Sequence, residues 1–397
     1  MIEESATADP VGVPVHQDLV SRAGELKPLL QAHATTGEIN RRLDDRVISA
    51  LTEAGMFRIH KPMRFGGYEA TQRTLLAVTE ILGQADASAA WVVTVNATAA
   101  WVVARGSQKL QSEIFGVNPD ARLAGGSEPV PARMGQNGIY VSGRWGFASG
   151  CTHADWFSVT AATTDESGQT TGTYCLMPAS EFTVEDTWHV VGMRGTASNT
   201  LVTRDLFVPK HRMIPLDALT ENSPSADTAL YRLPLGPIGA SGLVGPLLGV
   251  GQAALDLVCS NAAGKPLHNT VFPRQSDSTG VQIQIAEAKM QLYSARLHAY
   301  DVADQLDTAA AQGRSVGYSA RARMRAQCAH AVQLVLKALN TLLNVHGAAS
   351  FAEANPMQRF WRDANTAARH AALNAVVGYE VYGKALLGIE ERVAPMV

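Results

Sequence analysis

The strongest constraint on the fold is a set of long apolar repeats in the second half of the chain. Apolar residues recur at helical spacing over residues 244–263, 281–313, 317–346 and 356–388. The last three segments run for about thirty residues, or ~45 Å of helix at 1.5 Å per residue. Helices of this length must bury their apolar faces against one another, so the pattern predicts a C-terminal four-helix bundle.

The rest of the chain divides into a helical and a strand-rich part. Residues 16–115 continue the helical spacing, whereas residues 120–215 are rich in Gly and Thr and contain short runs typical of strands. Residues 216–240 contain Pro and Ser and indicate a linker over the surface. The predicted fold class is α+β, mostly α. It comprises an N-terminal helical domain (1–118), a central antiparallel β-barrel or sandwich (119–225) and a C-terminal helical bundle (226–397).

Composition and charge exclude several classes of protein. The chain has 33 Lys and Arg against 36 Asp and Glu, so no basic surplus indicates nucleic acid. The four cysteines show no C-x-x-C spacing, which fits a reducing compartment. Residues 1–10 lack the apolar stretch of a secretory signal, and polar residues interrupt the apolar segment 85–104, as in a buried helix. We therefore expect a soluble, cytoplasmic protein.

Three segments carry the functional signal. They are SGRWGFASGCTHADW (142–156), DTWHVVGMRGTASNTLVTRDLFVP (186–209) and MQRFWRDANTAARHAALN (357–374). Together with the helical, β, helical order, these segments resemble the two-component flavin-dependent monooxygenases built on the acyl-CoA dehydrogenase fold. That group includes hydroxylases of phenols and steroid-derived phenols, the dibenzothiophene monooxygenase and amino-sugar N-oxidising enzymes.

The resemblance implies a reaction and a set of partners. A separate flavin reductase would supply reduced FMN or FAD, which would form a C4a-hydroperoxide with O2. The terminal oxygen would then hydroxylate an aromatic or heteroaromatic small molecule. Members of the group are usually homotetramers, and neighbouring chains complete each cofactor site. No metal, nucleic acid or membrane is expected to bind.

The first segment contains residues suited to hold a flavin. A flavin ring needs a flat apolar wall and a polar group near its reactive nitrogen, and Phe147 or Trp145 would provide the wall. Ser149 would supply the hydroxyl, and Gly150 would let the backbone approach the ring. By resemblance, Ser149 lies beside flavin N5. The alternative is a strand end packed by Trp and Phe, with Ser149 capping a turn.

The second segment offers small hydroxyl residues beside a glycine. Backbone N–H groups around Thr196 and Ser198, which follow Arg194, would hold a phosphate or a ribityl chain. The alternative is a plain turn between strands. By resemblance, Trp188 would line the flavin or substrate cavity.

The third segment places a histidine in a polar stripe. Spacing of four puts Arg362, Thr366, His370 and Asn374 on one face of a predicted helix, and such a stripe inside a bundle needs partners or a ligand. By resemblance, His370 bonds the substrate hydroxyl and would either orient the substrate or take its proton, a role suited to a neutral imidazole at pH 7. The alternative is a core histidine bonded to a neighbouring helix.

The resemblance also assigns residues outside these segments. Arg274 would reach flavin phosphate across a subunit boundary, the alternative being a solvated loop arginine. Gly347 would lie in a loop near the neighbouring cofactor, although Ala348 replaces the second glycine of that loop. Many phenol hydroxylases have a histidine just before Trp101; here Asn96 is the nearest polar group and would bond either the substrate or a backbone carbonyl. The predicted catalytic residues are His370 and Ser149. The predicted cofactor-binding residues are Trp145, Phe147, Ala148, Ser149, Gly150, Arg194, Thr196, Ser198, Arg274 and Gly347, and the predicted substrate-binding residues are Asn96, Trp101, Trp188 and His370.

Alternative functions remain open at this point. Dehydrogenases of the fold use a glutamate base a few residues after an R-D-A motif, and the corresponding position is Ala371, which cannot act as a base. N- or S-oxygenation by the same intermediate needs no base. A non-catalytic flavin or ligand binder would show binding without oxygen chemistry.

Overall fold

The computed structural model describes residues 15–164, 169–223, 226, 228–389, 391–394 and 396–397. The expectation about the extreme N-terminus, and the domain boundary placed at residue 225, fall outside these residues. The chain starts with helices α1 (Gln17–Asn40), α2 (Asp45–Glu53), α3 (Gln72–Gly83), α4 (Ala87–Ala104) and α5 (Gln108–Gln111). Short 3₁₀ turns and a π turn link them. Asp86 caps α4 by accepting hydrogen bonds from the Ser88 and Ala89 amides.

The middle of the chain forms one sheet. Within the described residues it has seven strands, in the order β5-β6-β2-β1-β3-β4-β7. They are β1 (Leu123–Gly135), β2 (Gly138–Ala148), β3 (Trp156–Thr164), β4 (Thr170–Pro178), β5 (Thr183–Glu185), β6 (Asn199–Pro209) and β7 (Met213–Pro215).

The expectation of a purely antiparallel β unit needs one correction, because β1 and β3 run parallel. After the β1–β2 hairpin, the chain crosses through the short turn at Cys151–His153 to the other side of β1 and then runs in the same direction. Alternation of apolar residues marks strands but carries no information about their direction.

The second half contains the predicted bundle. After α6 (Leu216–Thr220) come α7 (Leu235–Gly242), α8 (Val244–Ala262), α9 (Thr279–Ala311) and α10 (Tyr318–His346). The continuous helix expected over 356–388 is wrong: α11 (Pro356–Ala367) and α12 (Ala375–Leu386) are separate helices. The break arises because the His370 and Asn374 side chains accept hydrogen bonds from the Ala372 and Val377 amides and so cap new turns.

The expectation of a surface linker over 216–240 is also wrong for residues 230–240. Leu230, Tyr231, Leu233 and Ile238 are buried in the core, because this segment packs between the N-terminal helices and the bundle. Among the described residues, α4 and the α7–α8 segment are long and apolar enough to cross a membrane. Both are mostly buried inside the protein, as expected for core helices.

Candidate active site

One indole joins the predicted cofactor residue to the predicted substrate residue. Trp91 lies in the second turn of α4, and its Nε1–H donates a hydrogen bond of 3.2 Å to Ser149 Oγ. The same ring meets the His370 imidazole in an edge-on contact, with ring centroids 5.6 Å apart. Ser149 and His370, which are distant in sequence, therefore lie on two sides of Trp91.

Ser149 continues into a buried chain of hydroxyl groups. Its Oγ lies 2.7 Å from Ser198 Oγ, which lies 2.7 Å from Thr196 Oγ1. Thr196 Oγ1 donates to the carbonyl oxygen of Met193 at 2.8 Å, and the Trp188 indole N–H donates to the same oxygen at 3.0 Å. Four of the predicted residues thus form one hydrogen-bonded unit.

The loop that carries these hydroxyls is held from both sides. Asn199 Oδ1 accepts hydrogen bonds from the Thr187 and Trp188 amides, at 3.0 Å each. On the other side, the loop runs against α11, where a Cβ on Gly192 would lie 2.2 Å from the Arg362 carbonyl oxygen. Only glycine permits this close approach, so Gly192 lets the loop pack on the helix that precedes His370.

A buried carboxyl group fixes the same loop electrostatically. The Met193 amide donates to Asp363 Oδ1 at 2.5 Å, and Asp363 lies on α11. Burial, with the nearby Asp86 carboxyl, raises the pKa of Asp363 to about 7. Burial likewise raises the pKa of Asp86. Asp363 therefore connects the cofactor loop to the helix of the predicted substrate residue.

The two candidate wall residues lie in different environments. Trp145 is fully buried in the sheet core, and its indole donates to the Thr160 carbonyl at 2.9 Å. Phe147 is 79% exposed, has a positive φ of 59° and meets Trp188 edge-on at 6.0 Å. Of the two residues, Phe147 is the one available to a ligand. The neighbouring Ala148 is buried, and Gly150, with φ of 81°, donates its amide to the Thr196 carbonyl.

His370 lies just beyond the end of α11, so the stripe expected on one helical face breaks after Thr366. Its Nδ1 accepts a hydrogen bond from the Ala372 amide at 3.2 Å, which assigns the remaining ring proton of the neutral form to Nε2. The residue is exposed to solvent in the single chain, but neighbouring protein atoms partly desolvate its ring. Desolvation by these surroundings, with Arg325 nearby, lowers the pKa of the ring to about 4. At neutral pH, His370 is an uncharged donor.

Three predicted residues make structural contacts instead. Trp101 is fully buried and donates to the Leu230 carbonyl at 3.0 Å. The Asn96 side chain donates to the Phe57 carbonyl at 3.2 Å and accepts from the Leu123 amide at 2.7 Å, which favours the backbone carbonyl over the substrate as its partner. Arg194 donates to the carbonyls of Glu38 and Val190.

Arg274 and Gly347 lie together at another end of the molecule. The neighbour of Arg274, Gln275, donates to the Val345 carbonyl at 2.7 Å, close to Gly347 at the end of α10. The region of His370 contacts α10 at Arg325, whose guanidinium donates to the Ala371 carbonyl. Val345 and Arg325 are 20 residues apart on α10, or roughly 30 Å. No single chain brings Arg274 to Ser149.

Sequence reasoning missed Trp91 and underused Asp363. Trp91 belongs to the same helix as Asn96 and Trp101, but nothing in its spacing distinguishes it from a core residue. Asp363 belongs to the R-D-A motif, but its partner, the backbone amide of Met193, carries no sequence signal.

The arrangement fits a flavin. Phe147 offers an exposed aromatic face next to Ser149, which at 9% exposure is the most exposed of the three buried hydroxyl residues. The positive φ of Phe147 is a costly conformation for a bulky residue, and such strain concentrates at ligand sites.

Comparisons with known proteins agree with this geometry. Residues 22–115 match the model of the acyl-CoA dehydrogenase N-terminal domain, and residues 241–375 match that of the C-terminal domain. The chain is 32% identical to the oxygenase component of the FADH2-dependent resorcinol hydroxylase of Rhizobium sp., over 99% of each chain. It is 30% identical to the oxygenase subunit HsaA, a flavin-dependent monooxygenase of Rhodococcus jostii, over 93% of this chain and 98% of that one. The structure of XiaF from Streptomyces sp. in complex with FADH2 and glycerol superposes with a TM-score of 0.92 at 35% identity, covering 96% and 97% of the two chains.

Proposed function

Since the chain belongs to the flavin-dependent monooxygenases with an acyl-CoA dehydrogenase-like fold, we propose that it is an oxygenase component that hydroxylates a small aromatic molecule bearing an oxygen substituent. The observation that carries this proposal is the position of Trp91, which contacts Ser149 on one side and His370 on the other. A cofactor held at Ser149 and a substrate held at His370 would be neighbours.

The proposed cofactor residues hold and orient the flavin. Phe147 would cover one face of the ring, and Ser149 Oγ would bond its N5 edge. When bound, reduced flavin supplies the activation of O2, which no side chain of the protein can supply. Reduced flavin comes from a separate reductase; the FADH2 named for the resorcinol hydroxylase and XiaF favours FAD over FMN.

His370 is proposed to orient the substrate by donating a hydrogen bond. The Ala372 amide occupies Nδ1, so the group offered to a ligand is Nε2–H, which suits an oxygen acceptor such as a phenolate. A general base works best with a pKa near the operating pH, and a pKa of about 4 is too low for that. Of the two roles expected for His370, to orient or to deprotonate the substrate, we therefore propose the first. The similarity to a resorcinol hydroxylase supports an aromatic substrate that carries a hydroxyl group on its ring.

A second copy of the chain is proposed to complete the site. Phe147 and His370 are both exposed, so the site is open on one side in a single chain. Arg274 and Gly347 lie too far along the bundle to close it from within. We propose that a neighbouring chain supplies Arg274 and Gly347 and so closes the open side of the site. The assembly would be a homotetramer in the cytoplasm. Sedimentation at micromolar concentration should show the oligomer, and a monomer would contradict it.

The test of the proposed function is a substrate screen. Purified protein receives FADH2 or FMNH2 from a generic reductase, with catalase present, and phenols, indoles, thioethers and amines are offered in parallel. We expect a mass gain of one oxygen on a phenol, and loss of this product in the Ser149→Ala variant. Oxygen on sulfur or nitrogen would show heteroatom oxygenation instead. Reduction of bound flavin by an acyl-CoA without any reductase would show a dehydrogenase and contradict the proposal.

A further inference from the structure

We propose that the chain Trp91, Ser149, Ser198 and Thr196 has a fixed hydrogen-bond direction, which makes Ser149 an acceptor toward the flavin and selects the reduced over the oxidised cofactor. This inference rests on the proposed function, in which Ser149 bonds flavin N5. It adds that Ser198 and Thr196 act as positioning residues, without touching the flavin themselves.

The two ends of the chain determine its direction. At one end, the Trp91 indole N–H can only donate, and it donates to Ser149 Oγ at 3.2 Å. At the other end, the Met193 carbonyl can only accept, and it takes the single hydroxyl proton of Thr196 at 2.8 Å. Thr196 must then accept from Ser198, at 2.7 Å, and Ser198 must accept from Ser149, also at 2.7 Å.

The Met193 end is firmly anchored. Its carbonyl also accepts from the Trp188 indole, and its amide donates to the buried Asp363. Thr196 and Ser198 are buried at 1% and 4% exposure, so water does not readily replace a lost partner within the chain. Reversing one hydroxyl alone places two protons between the same pair of oxygens, and reversing all three together gives up the Thr196 bond to the Met193 carbonyl, so both changes are unfavourable.

One site on Ser149 remains for a ligand. Its proton goes to Ser198 and one lone pair accepts from Trp91, so only the second lone pair is free, and that lone pair accepts. Reduced flavin carries a hydrogen on N5 and donates, whereas oxidised flavin has a bare N5 that accepts. The free lone pair of Ser149 therefore pairs with the N5–H of reduced flavin. With oxidised flavin it would face another acceptor, the bare N5.

The test measures dissociation constants for FADH2 and FAD under anaerobic conditions, in the wild type and in four variants whose folding is checked by thermal unfolding. Ser198→Ala and Thr196→Val each free the Ser149 proton to point at the flavin. In both, we expect FAD to bind about tenfold more tightly, equivalent to ~1.4 kcal/mol, with FADH2 binding unchanged. Thr196→Ser keeps the hydroxyl and should retain the wild-type constants. Ser149→Ala should weaken FADH2 binding only.

The outcomes separate two failures. If Ser149→Ala weakens FADH2 binding, but Ser198→Ala and Thr196→Val leave FAD binding unchanged, the hydroxyl chain does not set the preference and this inference is overturned while the flavin site stands. If the wild type binds neither form, or Ser149→Ala changes neither constant, the flavin site of the proposed function fails and the inference fails with it.

Discussion

The two sides of the Trp91 indole are built in different ways. On one side, Ser149 belongs to a buried chain of hydroxyls that ends on an anchored backbone carbonyl. On the other, His370 stands at a helix break, exposed to solvent and held by one hydrogen bond to its own turn. The cofactor side is preorganised, whereas the substrate side is open.

On the cofactor side, two aromatic residues of strand β2 have different roles, one in stability and one in flavin binding. Substituting the first gives the largest expected effect on stability. Trp145 fills the sheet core, so Trp145→Ala should lower the free energy of unfolding by about 3–5 kcal/mol. Phe147→Ala, two residues away, should leave stability within about 1 kcal/mol and weaken FADH2 binding instead. Denaturant unfolding and anaerobic titration of both variants check this. If Phe147→Ala were strongly destabilised but bound FADH2 normally, Phe147 would be a packing residue and not a flavin-binding one.

Asp363 joins the two sides, and its ionisation should make stability depend on pH. Its pKa is raised from 3.8 to about 7 in the folded protein, so the folded state holds a proton that the unfolded state releases. The stabilisation is complete below about pH 4 and is lost as the pH rises to about 7, by up to roughly 4 kcal/mol.

Asp363→Asn keeps an acceptor for the Met193 amide and removes this titration. The variant should therefore gain stability relative to the wild type between pH 5 and pH 8, as measured by denaturant unfolding at each pH. A difference that does not change with pH would show that Asp363 does not titrate in this range.

The sequence predicted long-range architecture better than local geometry. The acyl-CoA dehydrogenase-like fold and three bundle helices are confirmed, because helical periodicity over thirty residues has few competing explanations. The break at His370 was missed because side-chain caps at 370 and 374 interrupt a pattern whose apolar spacing continues.

Contacts made through backbone atoms were also beyond the sequence. The anchoring of the loop by Asp363 depends on the Met193 amide, and the direction of the hydroxyl chain depends on the Met193 carbonyl. Neither group has a residue-type signature. Trp91 was missed for a related reason, since an indole in an apolar helix is usually a packing residue. The roles assigned to Ser149 and His370 stay predictions, although the structure places both residues against Trp91.

His370 provides the smallest of these effects and the one that tests the substrate side. His370→Ala should lower product formed per flavin oxidised by about a hundredfold, because a misplaced substrate loses its alignment. FADH2 binding should stay within about twofold, since the hydroxyl chain does not include this residue. Product formation by the wild type should show no His370 titration between pH 6 and pH 8, because a group with a pKa of about 4 is already neutral there.

His370→Gln separates a donor from a base. Glutamine places an N–H near the position of Nε2 but cannot take up a proton near neutral pH. A donor role predicts that glutamine recovers part of the activity lost with alanine, whereas a base role predicts that the two variants are equally inactive. Equal loss, together with a pH profile that falls below pH 7, would return His370 to the role of base.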